Sequence, residues 1–180
     1  MLSIEDAKKA AEKMGVPEQI AELSVFRVLL NHPLLAKRMN DLLLTLLFRG
    51  VLDARLRELV IMRLGWATAS DYEWTQHWRI ALQLGVPEED LLALRDWRAS
   101  DRFSDADRAV LAASDETLES GAISPETWAQ CQAHVGGAEA LLELTAAIGT
   151  WRMISSMLRS LEIPLEDGVA SWPPDGACPP

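Results

Sequence analysis

Glu73 and His77 stand four residues apart in D-Y-E-W-T-Q-H, so on a helix their side chains stack on one face. A carboxylate beside an imidazole raises the imidazole's pKa and fixes its tautomer, which makes a pair able to move protons. Glu58 lies upstream in E-L-V-I-M-R-L-G-W, where nearly all neighbouring positions are apolar. Burial there would raise its pKa and let it act as acid or base near neutral pH. Trp74 and Trp78 repeat the same spacing one position on and could form an apolar wall. Glu58, Glu73 and His77 are the candidate catalytic residues, with Ser70, Tyr72, Trp66 and Trp74 as candidate substrate contacts.

Each of these has a plainer reading. Ser70-x-x-Glu73 fits a capping box, in which the glutamate returns a hydrogen bond to the backbone of the capping serine. Glu58 could pair with Arg55 or Arg57 on a helix surface. His77 could be a satisfied histidine at an interface, and tryptophans are most often core or contact residues. No H-E-x-x-H or paired Cys/His spacing supports a metal site, and Cys131-x-x-His134 is a single pair with no second half. Gly-rich phosphate loops, nucleophile elbows and dinucleotide fingerprints are absent. Neither a metal nor a cofactor is expected.

The elements that must carry these residues read as helices throughout. Ser3 caps a first helix to Met14, and Pro17 opens a second through Leu30. Asn31-His32-Pro33 breaks the chain before an apolar helix from Leu34 to Arg49. In that helix Leu42 to Phe48 reads as a piece of buried helix. Asp53 caps a helix to about Trp66, with so few polar positions that it should be central. Ser70 caps the next, ending at Gly85, and Val86-Pro87 opens another through about Trp97. Ser104 and Ser124-Pro125 start two more, and a long last helix runs from Ala138 to about Leu161. There Leu141, Leu144, Ile148, Trp151, Ile154 and Leu158 make a core stripe. No strand is expected, so the fold class is all-α, with about eight or nine helices. Residues 1–167 form a single helical domain in this reading, and 168–180 a Pro-rich irregular tail, either loose or laid over the body or a neighbouring subunit.

A chain of 180 residues with 49% apolar side chains can bury a core of its own. The formal charge of −10 argues against nucleic acid or an anionic membrane surface as partner. No apolar run reaches the roughly 18 residues of a membrane span. Two distant cysteines, Cys131 and Cys178, make neither a disulfide framework nor a C-x-x-C pair, which suits a reducing, cytoplasmic setting.

With those residues in view, the chain resembles the carboxymuconolactone decarboxylase and alkylhydroperoxidase D-like superfamily. The likeness runs through L-R-E-L-V-I-M-R-L-G-W, A-S-D-Y-E-W-T-Q-H, R-I-A-L-Q-L-G-V, D-R-A-V-L-A-A-S-D-E-T-L and W-R-M-I-S-S-M-L-R-S-L, over about residues 20–167. It implies an all-α homo-oligomer, a trimer or hexamer, acting on a small molecule near subunit contacts. The peroxidase branch carries Glu-x11-Cys-x2-Cys-x3-His. On this chain the glutamate falls on Glu58, the cysteines on Ser70 and Glu73, and the histidine on His77. Serine and glutamate cannot attack and resolve a peroxide as thiols do. The resemblance therefore points to the cofactor-free decarboxylase type. It gives His77 as proton donor or carboxylate binder, Glu73 as its orienting group and Glu58 as a second acid or base. Hydroperoxide reduction and non-catalytic ligand binding stand as alternatives.

Overall fold

The computed structural model describes residues 1–180 and is helical throughout, with no strand. Contacts gather the chain into two compact units, Met1–Arg49 with Leu161–Val169, and Gly50–Ser160 with Ala170–Pro180.

In the first unit lie α1 (Ile4–Met14), α2 (Glu18–Ala21), α3 (Ser24–Leu29) and α4 (Pro33–Phe48). Ser3 caps α1 and Gly15 ends it in the left-handed conformation, as the sequence leads one to expect. The helix expected from Pro17 to Leu30 is instead two. Leu23 turns extended, and the freed N–H of Ser24 is taken by the carboxylate of Glu166 at 2.9 Å. A cap supplied from 142 residues away cannot be read locally. The expected burial of Leu42 to Phe48 also fails in part, since Leu42 is 39% and Phe48 76% exposed. Helix α4 is apolar on more than one face, and one chain covers only one of them.

The second unit is built around α5 (Ala54–Ala67), capped by Asp53 as expected. Leu59, Val60, Ile61, Met62 and Leu64 are wholly buried in it. It packs against α6 (Asp71–Gln83), α8 (Asp105–Ser120) and α10 (Ala138–Ser160). Burying such side chains contributes roughly 1.5–3 kcal/mol each, which makes α5 the hydrophobic axis of the unit. Between α6 and α8 lies α7 (Glu88–Ala93), continued to Ala99 as a 3-10 turn where a straight helix through Trp97 was expected. The break is at Asp96 (φ −138°, ψ 64°). Helix α9 (Pro125–His134) begins at Ser124, whose hydroxyl accepts from the Thr127 N–H.

Ion pairs fix these helices around α5. Arg63 grips Asp115 of α8 at 2.6 and 3.2 Å, and Asp115 also accepts from the Trp97 indole and from Arg98. These donors outweigh the cost of burial and hold the Asp115 carboxyl below the usual carboxylate range. Arg55 reaches both Asp90 and Asp107. At the entry to α5, the Glu143 carboxylate of α10 accepts from the N–H groups of Val51 and Leu52 at 2.7–3.0 Å.

The last residues of the chain contain no helix and lie over α5 and α6. Trp172 packs on Trp66 and Trp74, with centroids 5.8 and 6.2 Å apart. The Trp74 indole N–H donates to the Pro173 carbonyl at 2.8 Å, and Asp175 takes Arg95 through two bonds of 2.8 Å.

Helices α5 and α6 meet where Gly65 has no side chain. A Cβ there would stand 3.0 Å from the Trp74 amide nitrogen and 3.4 Å from the Glu73 Cβ. Gly149, on α10, has open space at the same point. Gly65→Ala should therefore lower stability by about 1–3 kcal/mol, because backbone must move to admit the methyl group. Gly149→Ala should raise it by roughly 0.5–1 kcal/mol. Urea unfolding of the two variants checks the contrast, and equal effects would show that α5 and α6 can part freely.

Candidate active site

Glu58, on the deeply buried helix α5, has no exposed surface at all. Its Oε2 accepts from His77 Nδ1 at 2.7 Å, and its Oε1 accepts from Arg57 Nε at 3.1 Å. Arg57 is therefore its partner, in the interior and not on a helix surface. Burial alone would raise the Glu58 pKa, but His77 and Arg57 together bring it below the usual value of 4.5. Glu58 is thus a fixed anion.

That anion decides the tautomer of His77. An ionised carboxylate only accepts, so Nδ1 carries hydrogen. On the other side of the ring, Trp151 of α10 offers its indole N–H to Nε2 at 3.3 Å. Indole can only donate, so in the neutral imidazole Nε2 is a lone pair. Glu73 Oε2 stands 3.6 Å from the same nitrogen, and the Trp151 N–H serves the Glu73 carboxyl as well. One imidazole nitrogen, one carboxyl and one indole N–H thus compete for a single proton seat.

The electrostatics of the pair follow from burial and charge. Burial pushes Glu73 above 4.5, and the nearby His77 only partly offsets it. For His77 burial acts downward, yet the Glu58 carboxylate, with help from Glu73, carries the imidazole above 6.5. Both members hold a proton more tightly than in water. Glu73 keeps 5% and His77 7% of their surface, against none for Glu58, so only the first two can touch a substrate.

The capping box expected at Ser70-x-x-Glu73 does not form. Ser70 occupies the N-cap of α6, but its side chain makes no capping bond and its buried Oγ has no partner. Glu73 is turned instead toward His77. The close contact at Gly65 and the bond from the Ser70 N–H to the Gly65 carbonyl, 2.8 Å, set where α6 begins and so where Glu73 points.

The structure thus brings Glu58, Glu73 and His77 into one chain of contacts. Trp74 and Trp66 meet each other at 5.1 Å and the tail's Trp172, on the neighbouring face of α6. Tyr72 is buried on α6. Two members of the site were not singled out from the sequence as such. Trp151 read as one residue of a core stripe, and only its indole nitrogen against His77 shows another role. Arg57 was visible as a neighbour of Glu58. Cys131 is buried with its thiol pushed up to about 11, mainly by burial, and Cys178 is exposed; neither is in a disulfide. No group of three His, Cys, Asp or Glu side chains is arranged to hold a metal ion. No helix is long and apolar enough to cross a membrane.

Residues 33–116 match the model of the carboxymuconolactone decarboxylase family. Solved structures share the fold. One from Ralstonia eutropha JMP134, an uncharacterized peroxidase-related protein described as an alkylhydroperoxidase AhpD core, is 14% identical with a TM-score of 0.74. It covers 98% of this chain and 92% of its own. An Agrobacterium tumefaciens protein of unknown function, described as a putative antioxidant defence protein AhpD, is 20% identical over 72% of this chain and 90% of its own, with a TM-score of 0.65. A variant of the debrominase Bmp8, in complex with 2,3,4-tribromopyrrole, is 18% identical over 91% of this chain and 86% of its own, with a TM-score of 0.67. A search of curated proteins finds no match. The stretch that holds α5, α6 and most of α8 thus matches the carboxymuconolactone decarboxylase family, and the chain as a whole has the fold of the alkylhydroperoxidase D-like structures.

The raised pKa of Glu73 makes a stability prediction. Folded Glu73 keeps a proton that the unfolded chain releases near 4.5, so stability falls as pH rises from there through the folded pKa. His77 adds a second decline above 6.5. Glu73→Gln, a neutral stand-in for the protonated acid, should remove the first decline and leave the variant relatively more stable at the alkaline end. Chemical unfolding of both proteins at several pH values between 4.5 and 9 tests this; parallel curves would mean that Glu73 folds ionised.

Proposed function

We propose that the protein is a cofactor-free acid/base enzyme, a lyase or isomerase acting on a small carboxylate or lactone. The observation that carries the reading is the contact chain Arg57–Glu58–His77–Glu73, closed by Trp151, with an anion fixed at one end and a tightly held proton at the other. In this reading Glu58 does not meet substrate. It is a positioning residue that fixes the Nδ1–H tautomer and keeps the imidazole basic. Glu73 and His77 Nε2 are the catalytic residues, between which a proton passes on its way to or from a substrate carbon.

For a decarboxylation, the C–C bond to the carboxylate breaks and its electron pair stays on carbon, spread into an adjacent carbonyl. Carbon dioxide leaves, and the pair returns to take the proton from Glu73 or His77. A site that excludes water holds that proton for carbon. For an isomerisation the same groups remove and return the proton. The neighbouring debrominase structure, which holds a small ring molecule, supports a small-molecule substrate for this fold. A second copy of the chain laid over the exposed face of α4 would make the homo-oligomer that the resemblance implies.

A thiol route to peroxide is the less favoured reading. The positions that the thiol pattern would fill are Ser70 and Glu73, and the Cys131 thiol, pushed up to about 11, stays protonated at neutral pH.

Turnover of 4-carboxymuconolactone and related lactones and carboxylates, followed for carbon dioxide release and for solvent deuterium entering product, tests the proposal. Glu73→Gln and His77→Gln should each lower kcat by about 10²–10⁴. Glu58→Gln should move the pH–rate profile to lower pH, because the imidazole loses the anion that raises it. Wild-type rates in the Glu73 and His77 variants would overturn the assignment.

A further inference from the structure

Helix α10 carries Arg152, Ser155, Ser156 and Arg159 at the spacing i, i+3, i+4, i+7, which aligns them on one face. That face lines a pocket of about 430 Å³, completed by Thr68 at the end of α5 and Leu118 of α8. Arg152 donates to the Thr117 carbonyl and has no carboxylate partner, and Arg159 has no hydrogen-bond or ion-pair partner. In a chain with 27 acidic and 17 basic residues, neither guanidinium has been given one of the plentiful carboxylates.

Ser155 supplies an independent sign. It is wholly buried, and its Oγ has no hydrogen-bond partner. Hydroxyls inside helices commonly bond back to the carbonyl four residues before. In this molecule Thr68, Ser114, Thr117 and Ser120 all do so, at 2.7–2.9 Å. Ser155 makes no such bond and, like Ser70, leaves an enclosed donor unspent, although a buried unpaired hydroxyl costs about 1–3 kcal/mol.

Its place connects it to the acid/base chain. Ser155 follows Trp151 by four residues on the same buried side of α10, and at 1.5 Å per residue lies about 6 Å along the axis from it. Trp151 is the residue whose indole meets His77 Nε2. A carboxylate held by the α10 stripe would thus belong to a molecule able to extend toward the proton seat.

We infer that Arg152, Arg159 and Ser155 form a carboxylate-binding site, which anchors the acidic group of the substrate one turn from the acid/base chain. Two guanidinium forks fit the planar pair of oxygens, and the Ser155 hydroxyl, enclosed beneath them, donates a third bond once a seated ligand parts the side chains that cover it. Calling the ligand a substrate rests on the acid/base reading, whereas the binding site itself does not.

Calorimetry with adipate, a saturated diacid that cannot be turned over, tests the pocket whether or not any reaction is found. Adipate should bind at least tenfold more tightly than its neutral diamide. Arg159→Met and Arg152→Met should each weaken it tenfold or more, and Ser155→Ala severalfold. Ser155→Ala should leave the melting temperature unchanged or higher, so that lost binding is not lost folding. Adipate affinity unaltered in Arg159→Met would overturn the site. Inorganic phosphate bound as tightly as adipate, and weakened equally by the variants, would overturn the carboxylate assignment and make this a site for free oxyanions.

Discussion

The Glu58 carboxylate sits inside the protein with no contact with water, and the rest of the second unit is arranged to make that tolerable. Stripping a carboxylate of its hydration costs several kcal/mol, and this cost is met only if each oxygen keeps a good partner. Arg57 takes one oxygen and His77 the other. From this follow the tautomer of the imidazole, the lone pair on Nε2, the seating of the Trp151 indole and the competition with Glu73. Removing either partner would leave a buried, half-paired charge. The apolar face of α5 is thus what gives the polar chain its strength, since the low dielectric that makes Glu58 costly also makes its hold on His77 firm.

Placement of the second carboxylate depends on a steric detail. Gly65 lets the start of α6 close onto α5, and Ser70 is held there through its backbone while its side chain is left without a bond. The N–H that a capping glutamate would take is already given by Ser70 to the Gly65 carbonyl, and Glu73 turns instead to the imidazole one turn on. Where the Glu-x11-Cys-x2-Cys-x3-His pattern has its two sulfurs, this chain has the hydroxyl of Ser70 and the carboxyl of Glu73, neither of which can do a thiol's redox chemistry.

Tryptophans divide between two tasks. Trp151 acts through its nitrogen beside His77. Trp66 and Trp74 form an aromatic bed for the chain's own end, fastened by Asp175 on Arg95 and by the Pro173 carbonyl. Local sequence does not separate these uses, because any indole can supply both apolar area and a donor.

Periodicity and end signals alone determined much of the fold. Apolar spacing gave helices throughout, and caps at Ser3, Asp53, Ser104 and Ser124 lie where the structure has them, because a cap is a contact within four residues. The same locality made Glu73 and His77 neighbours. What only the tertiary structure decided are the contacts that cross the chain. These are Glu58 to His77 over 19 residues, Trp151 to His77 over 74, and the Glu166 cap that divides a helix expected to be single. The choice at Glu73 between capping its own helix and facing His77 was also open in the sequence. Both bonds are local and similar in strength, and the packing of α5 on α6 at Gly65 selects between them.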